Sequence, residues 1–566
     1  MNFPIKVNIK GKGPETLNKQ SYLAAGGEGT VCKIGGTAFK IYHDPKKMIP
    51  VKKIKELQTL EGLPNVLGPR DILLDAKGNT PIGFTMPYIQ KTEFLTRLFN
   101  KNFKHDNGIS PEMTVHMVKV MQETLKEIHK HKILVVDFNE MNFLTSPDYN
   151  NIYYIDVDSY QTPSYKATAL METIRDRVGP RGQFNEGTDW FSFAVVAFQL
   201  YMGYHPYRKG KHPSYMPKDW SQRMDDNVSI FHKDIVLADN WKTWDLIPKA
   251  HYDWFERVFD KKERSIPPLP DGSAFVAVMK PVLITGTDRF EVTLAKDCRE
   301  KLLGVYFFNG FKYSVTESRI FAGDMPIHTF IKRPKKLSLA NVPGTAPIMV
   351  TIQDQEVHFD EMNGKKVGYI AASSVMQYKG NIYTLYNGVL TENTFQNFGP
   401  KVLHKAKTVC NVFEPATKLF PGVAVQDILG NCWLAVPYQE SFCGNIHIPE
   451  LDGQRIIDAK YENGVCILIS EKDRKYNRAV LCFNERVSAY TIRIEEDIAY
   501  NGVNFTTKPN GVCIHIPDDS KVEVFKDNAQ VKIIDNPPFS TGMRLKNDTI
   551  SVYFIDNEKL YTVGLK

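Results

Sequence analysis

The feature that most constrains the fold of this 566-residue chain is a change of pattern near residue 290. Before it, apolar residues recur at helical intervals, as in Met113, Val115, Met117, Val118, Val120, Met121, Leu125 and Ile128. After it, short alternating runs take over, separated by Asn, Asp, Gly and Pro. With 42% hydrophobic and 24% charged residues, a chain this long has the apolar content of two folded domains or three. The stretch Arg264-Ser265-Ile266-Pro267-Pro268-Leu269-Pro270-Asp271-Gly272 marks the end of the first. The expected division is 1–285 and 290–566.

Six runs in the second part share one form, a tight turn feeding an apolar strand. The turns are Asn309-Gly310, Gly380-Asn381, Gly430-Asn431, Asn463-Gly464, Asn510-Gly511 and Asn547-Asp548, and they recur at intervals on the order of 35 to 70 residues. These runs imply an all-β domain. A β-propeller of about five to seven blades fits them, and so does a pair of β-sandwiches. No nucleophile, base or metal cluster stands out in this half, so it is expected to bind a protein partner. Trp433 and Tyr490 suit recognition if exposed and core if buried.

The net charge of +7 is mild and indicates neither nucleic acid nor an acidic partner. Eight scattered cysteines without a C-x-x-C read as reduced thiols, not as a disulfide frame or zinc site. No apolar window is long enough to span a membrane, and the start, Met1 to Lys6, lacks a secretory signal. The expected location is the cytoplasm.

The chemistry-bearing residues concentrate in the first part. Ala24-Ala25-Gly26-Gly27-Glu28-Gly29-Thr30-Val31 supplies glycines that let backbone and amide N–H groups approach phosphates, although the same stretch suits an ordinary hairpin turn. Thr37-Ala38-Phe39-Lys40-Ile41-Tyr42 alternates like a half-buried strand carrying one lysine. A helix-like segment, Val51 to Leu60, holds Glu56, with Glu61 just beyond it. Pro81 to Ile89 reads as an apolar strand entering a proline-marked connection. Ser110-Pro111-Glu112 is a helix start, and His129 and His131 close that helix with a positive bias instead of a metal site. Then come Asp137-Phe138-Asn139-Glu140-Met141-Asn142, the acids of Tyr154-Ile155-Asp156-Val157-Asp158, and a nearly all-apolar helix from Gly187 to Leu200 with Asp189 at its start.

In this order the pieces resemble a protein kinase domain over residues from about 20 to 270, just under half of the chain. The nearest variant is a group of bacterial-type eukaryotic-like kinases with I-D-V-D-S-[FY]-Q in place of D-F-G, here Ile155-Asp156-Val157-Asp158-Ser159-Tyr160-Gln161. The resemblance implies an α+β bilobal fold, with a small lobe of about 1–88 and a large lobe of about 89–285, and ATP and Mg²⁺ as cofactors. It implies that Ala24, Gly26, Gly27, Gly29 and Val31 cover the nucleotide. Lys40, with Ala38 beside it, would grip the α- and β-phosphates, held by an ion pair to Glu56. Met86 would be the gatekeeper and Pro87, Tyr88 and Ile89 the hinge against adenine, which Leu144 and Ile155 would flank. Asp137 would orient the acceptor hydroxyl and take its proton, and Asn142 and Asp156 would hold Mg²⁺. The Asp189 carboxylate would accept backbone N–H bonds from the loop before Asp137.

Several positions depart from that pattern. Val135 and Val136 replace the His and Arg before the catalytic acid, which removes the cationic pocket for a phosphorylated activation loop. Asn139 stands where a lysine is usual, and Asp158 replaces a glycine, where it would add a metal contact or stiffen the start of the activation segment. No A-P-E is present, and Met171-Glu172 would stand in for it by pairing with Arg264. The implied function is an ATP- and Mg²⁺-dependent protein kinase acting on serine or threonine of a protein substrate, with the β domain recruiting or regulating. The alternatives are a pseudokinase scaffold, and transfer to a small-molecule hydroxyl or of a nucleotidyl group.

Overall fold

A computed structural model describes residues 3–216, 218–237, 242–270, 286–353, 355–439, 442–499 and 502–566. These form two compact units, residues 3–104 with 109–270, and residues 105–108 with 286–566. Of the stretch Arg264 to Gly272 expected to end the first domain, Asp271 and Gly272 lie outside the described residues, as do 273–285, Met1 and Asn2.

The first unit opens with seven strands, β1 (Ile5–Ile9), β2 (Gly13–Leu17), β3 (Tyr22–Ala25), β4 (Gly29–Ile34), β5 (Thr37–Tyr42), β6 (Ile72–Leu74) and β7 (Pro81–Pro87). They pair antiparallel in the order β2-β1-β6-β7-β5-β4-β3. Val7, Leu17, Cys32, Phe39, Ile41 and Leu73 gather in one buried cluster, so the strand alternation that marks a half-buried sheet is used as such. Gly29 is required by packing, because a Cβ there would stand 2.5 Å from the Ile41 carbonyl oxygen on the neighbouring strand.

Helices dominate the rest of this unit. The helix Pro111–Lys130 starts where expected, with Ser110 Oγ accepting from the Met113 N–H (3.2 Å) and proline in the first turn. The helix Glu186–Met202 is capped reciprocally by Asn185 and Thr188, and every residue from Asp189 to Phe198 is buried. Its rings pack on the helix Lys249–Phe259, Phe193 against Trp254 (6.1 Å) and Phe198 against Phe255 (5.4 Å). Each such ring stabilises the fold by about 1.5–3 kcal/mol. This central helix is the rigid element on which the loops carrying the polar residues are mounted.

The second unit contains seven four-stranded antiparallel sheets among the described residues. Six are built from consecutive strands, and the seventh joins the unit's first strand, Phe290–Asp297, to its last three, Arg544–Asn547, Val552–Asp556 and Lys559–Leu565. Apolar clusters link sheets that are neighbours in sequence. A further cluster of Cys298, Leu302, Val305, Ile555 and Leu560 joins the seventh sheet to the first, so the series closes on itself. The Asn-Gly pairs at 309–310 and 463–464 have positive φ at both residues, the geometry of tight hairpin turns. The apolar runs fed by the six turns are interior strands, second or third of four, because their continuous apolar character needs cover on both sides.

Trp433 is half-buried and stacked on His447 (4.9 Å), and the half-buried Tyr490 donates to Glu450 (2.7 Å), so both are engaged within the unit. All eight cysteines are unpaired thiols. No helix among the described residues is long and apolar enough to cross a membrane.

Candidate active site

Strand β5 sets Lys40 between Val31 on β4 and Phe84 on β7. Its ammonium donates to Asp158 Oδ2 (2.7 Å) and Asp156 Oδ1 (3.2 Å). Tyr42, two residues on and therefore on the same face, donates its hydroxyl to the same Asp158 oxygen (2.6 Å). From the helix Val51–Leu57, Lys53 donates to the Asp158 backbone carbonyl (2.8 Å). The Lys40 and Asp158 side chains are 12% and 7% exposed, whereas that of Asp156 is 39% exposed. Burial alone pushes the Lys40 ammonium down, but the carboxylates of Asp158 and Asp156 outweigh it and raise its pKa. For Asp158, burial raises the carboxyl, and the Lys40 charge with the bonds from Lys40 and Tyr42 brings it below its ordinary range. Burial pushes Lys53 down, opposed by Asp158, Asp156 and Glu56.

The second half of the site is a loop held from beneath. The Asp189 carboxylate, wholly buried at the start of the central helix, accepts the N–H of Val135 (2.8 Å) and Val136 (2.9 Å) and bonds His129 Nε2 (2.8 Å). His129 is thus a buried support for Asp189. These bonds hold Val136 at φ +62°, an uncommon conformation for a β-branched residue, directly before Asp137. Asp137 is 1% exposed; its Oδ1 accepts the Met171 N–H (2.7 Å), and Asn142 Nδ2 donates to its carbonyl (2.9 Å) and lies 3.4 Å from Oδ2. The Ile155 N–H donates to the Asn142 carbonyl (3.0 Å), which fastens the segment of Asp156 to the loop of Asp137. Lys40, Asp156, Asp158, Asn142 and Asp137 are therefore one connected constellation drawn from three stretches of chain.

Of the residues expected to receive a nucleotide, Val31 pairs with Lys40 across β4 and β5, Leu144 lies two residues after Asn142, and Ile155 directly precedes Asp156. Ala24 lies on β3 and Gly26 and Gly27 in the turn to β4, all exposed, and a Cβ at either glycine would meet nothing within 4 Å. Val31, Met86, Leu144 and Ile155 are partly exposed apolar residues, and Ala38 is a buried strand partner of Met86. The Tyr88 N–H is spent on the Gly36 carbonyl (2.9 Å), and Pro87 has none. The Ile89 N–H makes no hydrogen bond among the described residues.

No family model and no curated protein matches the chain. One solved structure similar to it is that of the Cydia pomonella granulovirus kinase PK-1. The similarity covers 42% of this chain and 85% of that one, at 14% sequence identity and a TM-score of 0.32.

Two expected partners change. Lys40 is not paired with Glu56, whose Oε2 accepts the Ser164 N–H (3.3 Å); in the helix Val51–Leu57 the buried residues are Lys53, Ile54 and Leu57, so Glu56 points elsewhere. Glu61 sits 3.7 Å from Arg70. Arg264 pairs with Asp176 through two bonds (2.6 and 2.7 Å), while Glu172 is shared by Arg175, Arg177 and Arg181. Asp176 is the more buried acid, with a side chain 5% exposed against 47% for Glu172. Tyr42 and Lys53 are site residues that the sequence did not single out, and Asp158, expected to add a metal contact or stiffen its segment, instead bonds Lys40 and Tyr42; Lys53 was discernible as the polar member of an apolar helical face.

The donor chemistry suits a divalent cation with a polyphosphate. Asp156 offers a partly exposed carboxylate. Asn142 has its amide nitrogen committed to Asp137, which leaves the amide oxygen as its donor atom to a cation. An all-oxygen pair of this kind matches a hard ion such as Mg²⁺, and the Lys40 ammonium matches phosphate oxygens.

Proposed function

We propose that the first unit is a protein-kinase-like phosphotransferase that uses ATP and Mg²⁺ to phosphorylate serine or threonine hydroxyls of a protein. The observation that carries this reading is the convergence of Lys40 on Asp156 and Asp158 (3.2 and 2.7 Å), with Asp156 tied through Ile155 and Asn142 to the loop of Asp137. In this reading Asn142 and Asp156 hold the cation, which when bound neutralises charge on the phosphates. Lys40 orients the triphosphate, and the Gly26-Gly27 turn lies over it. The Ile89 N–H and Pro87 carbonyl bind the adenine edge between Ala38, Val31, Leu144 and Ile155. Asp137 orients the acceptor hydroxyl and accepts its proton, a contribution on the order of 10²–10⁴ in rate.

The second unit is proposed to be a seven-bladed β-propeller. Its support is the closing of seven four-stranded sheets by a last sheet made from both ends of the unit. Its role would be to recruit or regulate a protein partner, in a cytoplasmic protein. A scaffold that binds nucleotide without transfer is the second reading, favoured by the burial of Asp137 under the Met171 N–H and by Asn139 in place of a lysine.

The test is transfer of labelled γ-phosphate by the full chain with Mg²⁺, beside Asp137→Ala and Asp156→Ala. Label on the protein or a generic acceptor, lost in both variants, is expected. Label retained by both variants would overturn the assignment.

A further inference from the structure

We infer that Asp158 is the positioning acid for Lys40, in the place expected of Glu56, so that the lysine's grip is set by the segment bearing Asp156 and not by an acid on the helix Val51–Leu57. The inference rests on the proposed reading of Lys40 as a phosphate ligand. Its basis is the hydrogen-bond pattern. The Asp158 carboxylate receives Lys40 (2.7 Å) and Tyr42 (2.6 Å) together, with its carbonyl anchored by Lys53 (2.8 Å). Glu56 makes no hydrogen bond or ion pair to Lys40; its carboxylate is bonded by Thr162 and Ser164, including the Ser164 N–H (3.3 Å), and acts on Lys53 only through its charge.

Exposure separates the two acids that Lys40 touches. Asp156, 39% exposed, is free to turn to another cation, whereas Asp158, 7% exposed and bonded twice through its carboxylate, stays with the lysine. The charges on the helix are also inverted, since its inward polar residue is the cation Lys53, 1% exposed. A cation there holds the acid-bearing segment by its backbone, and that segment in turn holds Lys40. Lysine placement and the metal-side acid therefore belong to one stretch, Asp156 to Asp158. Displacing the helix acid has no purchase on Lys40, which removes the helix acid as a switch for this site.

The experiment is affinity labelling of the full chain with an ATP analogue carrying an acyl group on its terminal phosphate. The nearest amine displaces that phosphate and keeps the acyl group as an amide, so peptide mass spectrometry reports which lysine stands beside the phosphates. At saturating analogue, Lys40 labelling per bound nucleotide is expected to fall on the order of tenfold in Asp158→Asn, against the gain in free amine that loss of the carboxylate brings, so that a fall reports lost placement, and to be unchanged in Glu56→Gln; a rise in Asp158→Asn would overturn the inference. A merely structural role for Asp158 would lower the melting temperature or occupancy without changing labelling per bound nucleotide, and that result would overturn the inference. So would loss of Lys40 labelling in Glu56→Gln, a readout that stands even if Asp158→Asn does not fold. Failure of the wild-type chain to label Lys40 at all would instead reject the phosphate-ligand reading itself.

Discussion

At the level of single residues, the site separates glycines kept by packing from glycines left open. A Cβ at Gly29 would abut the Ile41 carbonyl, while one at Gly26 or Gly27 would meet nothing within 4 Å. Gly29→Ala should cost about 1–3 kcal/mol in urea denaturation, because a methyl must displace backbone. Gly26→Ala and Gly27→Ala should leave stability within about 0.5 kcal/mol yet weaken nucleotide binding measured by calorimetry. Equal destabilisation by all three would deny the turn a binding role. Single residues are also where the sequence is least legible. Lys40 and Asp137 are recognisable from their neighbours, but the bond from Lys40 to Asp158 spans 118 positions, and no local period reports a contact of that separation. Glu56 has the type and the distance along the chain of a partner for Lys40, although burial of Lys53, Ile54 and Leu57 turns another face of the helix inward.

Elements were more legible, because helix and strand periods are local properties. The strand Thr37–Tyr42 and the helix from Pro111 are where their patterns place them, and the Asp189 carboxylate supports the loop before Asp137 as expected. The acid opposite Arg264 was not legible, since Glu172 and Asp176 differ in burial and not in chemistry. Removing Arg264 strands Asp176 without its partner, so Arg264→Ala should cost about 3 kcal/mol, whereas Glu172→Ala, which removes an acid on the surface, should cost less than about 1 kcal/mol. Chemical denaturation of both variants decides this.

In the second unit, the strands Cys513–Asp518 and Lys521–Phe525 enclose His515 and Glu523, with Arg493 and Arg478 facing them. Burial pushes His515 down to about 4, against the bond to Glu523, and the two arginines add to the depression. A histidine depressed in the folded state contributes stability that is complete above its unfolded value near 6.5 and is lost as pH falls through 4. Burial raises the Glu523 carboxyl, but His515 and Arg493 hold it well below its ordinary value, so it too loses its contribution toward acid. Hydrogen exchange in these two strands, corrected for intrinsic rates, should quicken between pH 6.5 and 4, and His515→Gln should flatten that dependence. Invariant protection across this range would contradict the buried neutral histidine.

For the whole molecule, the all-β character of the second unit was legible from turns and alternation. The number of sheets was not, because only six turn-strand runs stand out and the closing sheet pairs Phe290–Asp297 with strands more than 240 residues away in sequence. Truncating after Asp556 removes the strand Lys559–Leu565, which lies between Phe290–Asp297 and Val552–Asp556, and should abolish cooperative unfolding of this unit in calorimetry. A transition of undiminished enthalpy would show that closure is dispensable. In the proposed function, the constellation around Lys40 and Asp137 moves the terminal phosphoryl group of ATP. Parallel incubations of the full chain with Mg²⁺ and ATP labelled at either the γ- or the α-phosphorus decide whether it does. Stable protein-bound label from the γ position alone, absent in Asp137→Ala, is the predicted result; label from the α position, or nucleotide bound with neither label transferred to the chain or a generic protein acceptor, would contradict it.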